Sequence, residues 1–245
     1  ILPDITATDP ITDDVMNFLR LIIVYLYAIE IKTLQSPLTS SCQNVLKGRG
    51  IEWQQKVNMK IEIISGSPRQ NSITRRVALH LQRHLTENTE HTIGLIDLKE
   101  WNLPLMQPVF TSVENTAEPW KELAKRVFEA DAFILATPEY NGSYSPAMKN
   151  LLDHFPKQHH KPFGIVTSSP GVMGGMRAAQ QLLLLVPALS GIASPYLLTV
   201  PLVDKKFEKN GDLLDQSFYH SVHNFVSEFL WLAEKVVKDN ATVLK

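Results

Sequence analysis

The chain predicts an α/β protein: a three-layer sandwich in which a five-stranded parallel sheet carries helices on both faces. Two observations carry that expectation. From Met59 onward, apolar strand segments and amphipathic helical segments alternate five times, the order produced by repeated βαβ units. Two of the strands, at 132–136 (AFILA) and 163–167 (FGIVT), are nearly continuous apolar runs. That is the pattern of strands covered on both faces, and not of strands with one face in water.

The elements follow in order. Ile61, Ile63 and Ile64 form a short apolar strand, residues 65–72 a polar loop, and residues 73–85 a helical pattern. A strand at 91–98 and a helix at 119–129 come next. After the strand at 132–136, Pro146 opens a helix that runs to 154, since proline suits a first helical turn. The strand at 163–167, a helix at 174–186, a strand at 195–200 and a last amphipathic helix at 216–237 complete the set. In such sheets ligands sit outside the carboxyl ends of the strands, where strand order reverses. The loops after the first, third and fourth strands are therefore where chemistry is expected.

Composition narrows the function classes. The chain has 245 residues and a formal net charge of -1, so electrostatics offers no reason to expect nucleic acid or an anionic membrane as partner. Its one cysteine, Cys42, excludes an intrachain disulfide and any Cys-x-x-Cys site, which makes a cytoplasmic location the default. Residues 18–31 form a dense apolar run broken only by Arg20 and Glu30. As a helix it would span about 21 Å, against a bilayer core of roughly 30 Å. Acids (Asp4, Asp9, Asp13, Asp14) precede it where a secretory signal needs bases. It reads as an apolar helix that packs on something, not as a membrane anchor. Residues 33–58 read as a linker, and the remainder carries equal numbers of acids and bases.

The first loop, Gly66-Ser67-Pro68-Arg69-Gln70-Asn71-Ser72, lies between a buried strand and a helix. A phosphate monoester is a compact dianion, and free N–H groups at a helix start supply what it needs. Ser67 and Ser72 add hydroxyl donors and Arg69 a charge-assisted fork. A plain N-cap at Asn71 or Ser72 is the simpler reading, but capping does not call for Gly-Ser-Pro-Arg upstream. No G-x-x-x-x-G-K-[ST] and no G-x-G-x-x-G follows the first strand. No cysteine stands in the loop to attack a phosphate. The loop is expected to bind phosphate passively.

The second loop runs from Thr137 through Pro138, Glu139, Tyr140, Asn141, Gly142, Ser143, Tyr144 and Ser145 to Pro146. Two prolines stiffen it and Asn141-Gly142 signals a turn. Backbone donors beside an aromatic side chain suit a flat heteroaromatic ring, although turn-rich β–α connectors are also common. Four histidines at helical spacing, His80 with His84 and His220 with His223, lack an evident third metal ligand and read as surface residues. No G-x-S-x-G elbow supports a serine hydrolase. Trp101-Asn102-Leu103-Pro104 reads as an apolar loop plug, with shielding of a bound ring's edge or of a partner subunit as its functional alternative.

These stretches, with Lys149-Asn150-Leu151-Leu152-Asp153 and the run 168–177 (SSPGVMGGMR), resemble the NAD(P)H-dependent FMN reductase family of flavodoxin-like proteins. The resemblance covers about 59–200. It implies that Ser67, Arg69, Asn71 and Ser72 surround an FMN phosphate. It implies that Pro138, Glu139, Tyr140, Asn141, Gly142 and Ser143 line the isoalloxazine ring, and that Ser168, Ser169, Gly171, Gly174 and Gly175 complete the pocket. The glycines have a rationale of their own, close approach of backbone to a flat ligand. The implied activity is hydride transfer from NADPH or NADH to bound FMN, then reduction of free flavin, a quinone, an azo compound or a metal oxyanion. No catalytic acid or base is nominated and no metal is expected. The implied assembly is a homodimer or homotetramer, and the implied location is cytoplasmic. A flavodoxin-like electron carrier that does not oxidise NAD(P)H is the alternative. Arg177 reads as a surface arginine, with the extra phosphate of NADPH as its functional alternative. Residues 1–58 match nothing in the family and are expected to be a dispensable presequence, alternative start or translated upstream sequence, leaving 59–245 as the FMN-binding domain.

Overall fold

The computed structural model describes residues 58–243. The expectations for residues 1–58, the apolar helix at 18–31 among them, lie outside the described residues but for position 58.

Among the described residues, six parallel strands and six α-helices follow in the order β1 (Lys60–Ser65), α1 (Thr74–Asn88), β2 (Thr92–Asp97), α2 (Lys121–Glu129), β3 (Ala132–Pro138), α3 (Pro146–Asp153), β4 (Pro162–Ser168), α4 (Met176–Ala188), β5 (Ile192–Ala193), β6 (Leu198–Val200), α5 (Val203–Lys206) and α6 (Tyr219–Val243). The sheet order is β2-β1-β3-β4-β5, with β6 also paired to β4. The chain thus steps from β1 outward to β2, then crosses back to β3 on the other side of β1. Strand order reverses between β1 and β3, which opens a crevice beyond their carboxyl ends. β3 and β4 are buried along their whole lengths, as their unbroken apolar sequences require.

The two faces of the sheet are separate cores. On one, Ile61 and Ile63 of β1 meet Val77, Leu81 and Leu85 of α1 and Phe225 and Phe229 of α6. On the other, Ile64 and Leu135 meet Leu123 and Val127 of α2, Met148 and Leu151 of α3 and Leu182 of α4. Each such side chain, removed from water, contributes about 1.5–3 kcal/mol before chain entropy is subtracted. Alternation along β1 sends Ile63 to one core and Ile64 to the other, as the two-residue period of a strand demands.

The fold class and nearly every element agree with the sequence reading, with three differences. The fifth strand position is occupied twice, by β5 and β6, where one strand at 195–200 is expected. The Ser194 amide still bonds the Phe163 carbonyl at 2.8 Å, but Pro195 has no N–H to continue the ladder. Helix α1 runs three residues past its expected end, and the segment before α2 opens as a 3₁₀ turn at Glu118–Trp120. The excursion through α5, closed by a Phe207–Leu213 bridge, is too short and too polar to give a periodic signal. Among the described residues no helix is long and apolar enough to cross a membrane.

Candidate functional site

The first loop leaves β1 at the reversal of strand order. The Gly66 amide donates to the Ala136 carbonyl at 2.7 Å, tying the loop to the end of β3. Ser67 is buried, and its hydroxyl lies 3.4 Å from the Tyr140 hydroxyl of the second loop and 3.5 Å from the Arg69 amide. The Ser72 hydroxyl accepts from the Arg75 amide at 3.1 Å, so it caps α1 as the simpler reading expected. A hydroxyl that accepts a cap bond keeps its own proton to donate. Among the described residues, the amides of Ser67, Gln70, Asn71, Ser72 and Ile73 have no acceptor. Arg69 has no carboxylate partner there either, and its guanidinium stacks 4.7 Å over the Tyr140 ring. Free N–H donors at a helix start beside an unneutralised cation supply what an anion needs.

The second loop is a tight two-residue hairpin. Tyr140 and Ser143 exchange backbone bonds at 2.8 and 3.1 Å, while Asn141 (φ 52°) and Gly142 (φ 83°) both take left-handed backbone. That is the geometry Asn-Gly favours. The turn leaves the amides of Glu139, Asn141, Gly142 and Tyr144 without acceptors among the described residues. Ser145, wholly buried, locks the two loops together. Its hydroxyl donates to the Gly66 carbonyl and accepts from the Met148 amide at 3.0 Å, and its own amide donates to Thr137 Oγ1 at 3.0 Å. The sequence reading did not nominate Ser145, although serine just before a helix-opening proline is a capping signal. Burial pushes the Tyr144 phenol above its ordinary range, with Lys149 opposing, so it stays neutral.

The third loop follows β4. The buried Ser168 hydroxyl donates to Thr74 Oγ1 at 2.8 Å, at the start of α1. Ser169 Oγ accepts from the Gly171 amide at 3.0 Å. Gly174 (φ 61°) and Gly175 (φ 88°) are crowded by the chain itself. A Cβ on Gly174 would lie 2.8 Å from Pro201 N, and one on Gly175 2.9 Å from Thr167 Cβ. Their smallness serves the approach of the loop to β4 and to residues 200–201, a different reason from approach to a ligand. Glu139 leans toward this loop, accepting from the Arg177 amide at 3.2 Å with the Arg177 guanidinium 3.9 Å away. A carboxylate at a helix N-terminus is favourable, and here it joins the second loop to α4.

The structure therefore gathers the three loops along one edge, stitched by Ser67–Tyr140, Ser145–Gly66 and Glu139–Arg177 contacts. Beside the first loop a cavity of about 440 Å³ opens between Pro68 and the residues after β2. Trp101 and Leu103 pack on the lower core and also line this cavity, so the segment read as a plug is a wall. Asp97, buried at the end of β2, binds Arg75 Nε at 2.6 Å, an ion pair that sequence spacing alone does not reveal. The histidines stand elsewhere: His80 stacks on His84, and His223 on Tyr219, along the seam of α1 and α6. No group of three His, Cys, Asp or Glu side chains among the described residues is placed to hold a metal.

Residues 59–201 match the family described as NADPH-dependent FMN reductase. An FMN-dependent NADPH-azoreductase of Staphylococcus aureus (strain USA300) is 34% identical over 183 residues, which cover 70% of this chain and 94% of that protein. In solved structures, the flavoenzyme NAD(P)H:(acceptor) oxidoreductase FerB from Paracoccus denitrificans superposes with a TM-score of 0.61 at 23% identity, covering 72% of this chain and 98% of its own. An apo NADH:FMN oxidoreductase (EMOB) does so with a TM-score of 0.53 at 20% identity, covering 70% and 90%. The structural likenesses are likenesses of fold. The chain belongs to the NADPH-dependent FMN reductase family, with a flavodoxin-like fold, FMN as its cofactor and NAD(P)H as its reductant.

Proposed function

We propose that this FMN reductase family member holds FMN across the β1–β3 crevice and uses NAD(P)H to reduce a small aromatic acceptor of the quinone or azo class. The observation that carries the reading is the row of unsatisfied donors across the first two loops. At one end five amides, the Ser67 and Ser72 hydroxyls and the Arg69 guanidinium fit a phosphate dianion. At the other, the rigid turn at Asn141-Gly142 and its free amides fit the carbonyl and imide edge of a planar ring. Pro138, Glu139, Tyr140 and Ser143 frame that turn, and Ser169, Gly171, Gly174 and Gly175 shape the facing loop. Ser168 enters only as support for α1, through Thr74.

Bound FMN supplies the redox chemistry, taking a hydride from NAD(P)H and delivering electrons to the acceptor. The chain's own part is to bind, orient and exclude water. Arg69 and the loop amides anchor the phosphate, Ser145 fixes the spacing of the anchor from the turn, and the amides beyond Pro138 hold the ring edge. The azo class is favoured by the name of the 34% identical relative.

Leu105, Met106, Val172 and Met173 are exposed apolar side chains on the loops at this edge. They favour a homodimer or homotetramer in which a second copy covers the flavin. A cytoplasmic home rests on the single cysteine. Residues 59–245 are proposed to be sufficient: a chain beginning at Met59 should fold and bind FMN, and failure of either would show that residues 1–58 are needed.

The reductase reading is tested by mixing the FMN-loaded chain with NADPH under anaerobic conditions. Rapid bleaching of the flavin absorption is expected. Persistent yellow colour would identify an electron carrier that depends on another protein for its electrons.

A further inference from the structure

None of the residues assigned above to the flavin lines the cavity beside the first loop, and its volume of about 440 Å³ lies within the roughly 300–1,000 Å³ of small-molecule sites. It abuts the crevice on two sides. Pro68 belongs to the first loop, and Pro146 and Ala147 open the helix that leaves the second. The outer wall is the segment after β2, and it is fixed: Asn150 Nδ2 donates to the Pro104 carbonyl at 2.8 Å, and Asn150 Oδ1 accepts from the Met106 amide at 3.0 Å.

Three of the lining residues, Lys99, Trp101 and Asn102, carry side-chain N–H donors left unused among the described residues. Lys99 has no carboxylate partner among the described residues, because the nearby Asp97 is occupied by Arg75 and by the Lys99 backbone amide. The Trp101 indole N–H and the Asn102 side-chain amide also make no hydrogen bond there. Flat apolar surface, an indole, an amide and one unneutralised ammonium call for an aromatic ring with acceptor nitrogens that carries an anionic group. We propose that the cavity seats the adenosine end of NADPH and that Lys99 is the cation that recognises its 2′-phosphate. The inference rests on the NAD(P)H reading above and adds to it the side chain that distinguishes NADPH from NADH.

Two measurements on the FMN-loaded chain and its Lys99→Gln variant test it. The ratio of kcat/KM for NADPH to kcat/KM for NADH should fall about tenfold in the variant, the loss expected for one charge-assisted hydrogen bond. Lys99→Arg should restore most of it. Adenosine 2′-monophosphate, titrated calorimetrically, should bind the parent and bind Lys99→Gln about tenfold more weakly, a readout that requires no turnover. An unchanged nucleotide ratio, or equal binding of adenosine 2′-monophosphate to both, overturns the proposal. If instead Lys99→Gln raised only the KM of a sulfonated azo acceptor, the cavity would be an acceptor site and the proposal would again be wrong. Absence of flavin bleaching with either nucleotide would strike the reductase reading itself, whereas the adenosine 2′-monophosphate titration reports on the cavity alone.

Discussion

At the amino ends of the strands, charges are matched as they enter the sheet. Lys60 meets Glu129 at 2.8 Å while its amide meets the Asp131 carboxylate, and Glu62 takes a two-bond fork from Arg126. Lys161, its ammonium pushed down to about 8 by burial with Asp131 opposing, lies 3.3 and 3.4 Å from the carbonyls that end α2. At the carboxyl ends matching is partial: Asp97 holds Arg75 and Glu139 meets Arg177, but Arg69 and Lys99 have no carboxylate partner among the described residues, and loop amides lack acceptors. Folding alone gains nothing from leaving donors unsatisfied. The contrast teaches that one end of the sheet is built to be complete and the other to be completed by a bound anion.

Substitutions that separate stability from binding probe that division. Arg126→Ala strands the Glu62 carboxylate, which is 8% exposed. It should destabilise the domain by roughly 3–5 kcal/mol, the cost of breaking a buried pair, while the folded fraction keeps its FMN affinity. Denaturant melts with and without FMN would check this, and a selective loss of FMN binding would break the comparison. Gly174→Ala sets a Cβ 2.8 Å from a backbone nitrogen at positive φ. A cost of roughly 1–3 kcal/mol is expected, now with weaker FMN binding, because the strained loop borders the crevice.

Ser145→Ala should cost about 1 kcal/mol as a lost cap and also loosen FMN, since the same hydroxyl fixes one loop on the other. Ser145→Thr should recover both, and an effect on stability alone would demote Ser145 to a cap. The smallest effect is expected at the α1–α6 seam. Burial lowers the pKa of His80 and of His84, and the proximity of His223 adds to the shift of His84. A base held neutral by the fold contributes stability that is complete above its unfolded pKa of about 6.5 and is lost as pH falls through the folded value. Stability should therefore decline on acidification below about pH 6.5, and His84→Gln should flatten the slope. A slope unchanged in that variant would move the titration elsewhere.

What was legible in the sequence follows the same division. The central strands were readable as buried on both faces because β3 and β4 are apolar without interruption. The donor-rich loop at the start of α1, proposed to hold the phosphate, was readable because glycine, serine and arginine cluster where a strand meets a helix. The hairpin at Asn141-Gly142 announced itself through the two residues that most readily accept positive φ. What the sequence did not reveal depends on direction and distance. The bond from Ser168 to Thr74 Oγ1 joins residues 94 positions apart and leaves no trace in the local sequence. Nor does the sequence show that Val200 and Pro201 crowd Gly174 while Thr167 crowds Gly175. Trp101 looks like a plug until Asn150 of α3 clips its segment in place at Pro104 and Met106, as a wall of the cavity.

The phosphate anchor is the centre of this account, and parallel titrations of FMN and riboflavin into the wild-type chain and Arg69→Ala test it most directly. The wild type should bind FMN at least about a hundredfold more tightly than riboflavin, as two or more charge-assisted bonds imply. Arg69→Ala should weaken FMN by about 10–100-fold and leave riboflavin unchanged. Equal affinity for the two flavins, or full FMN affinity in the variant, would contradict the account.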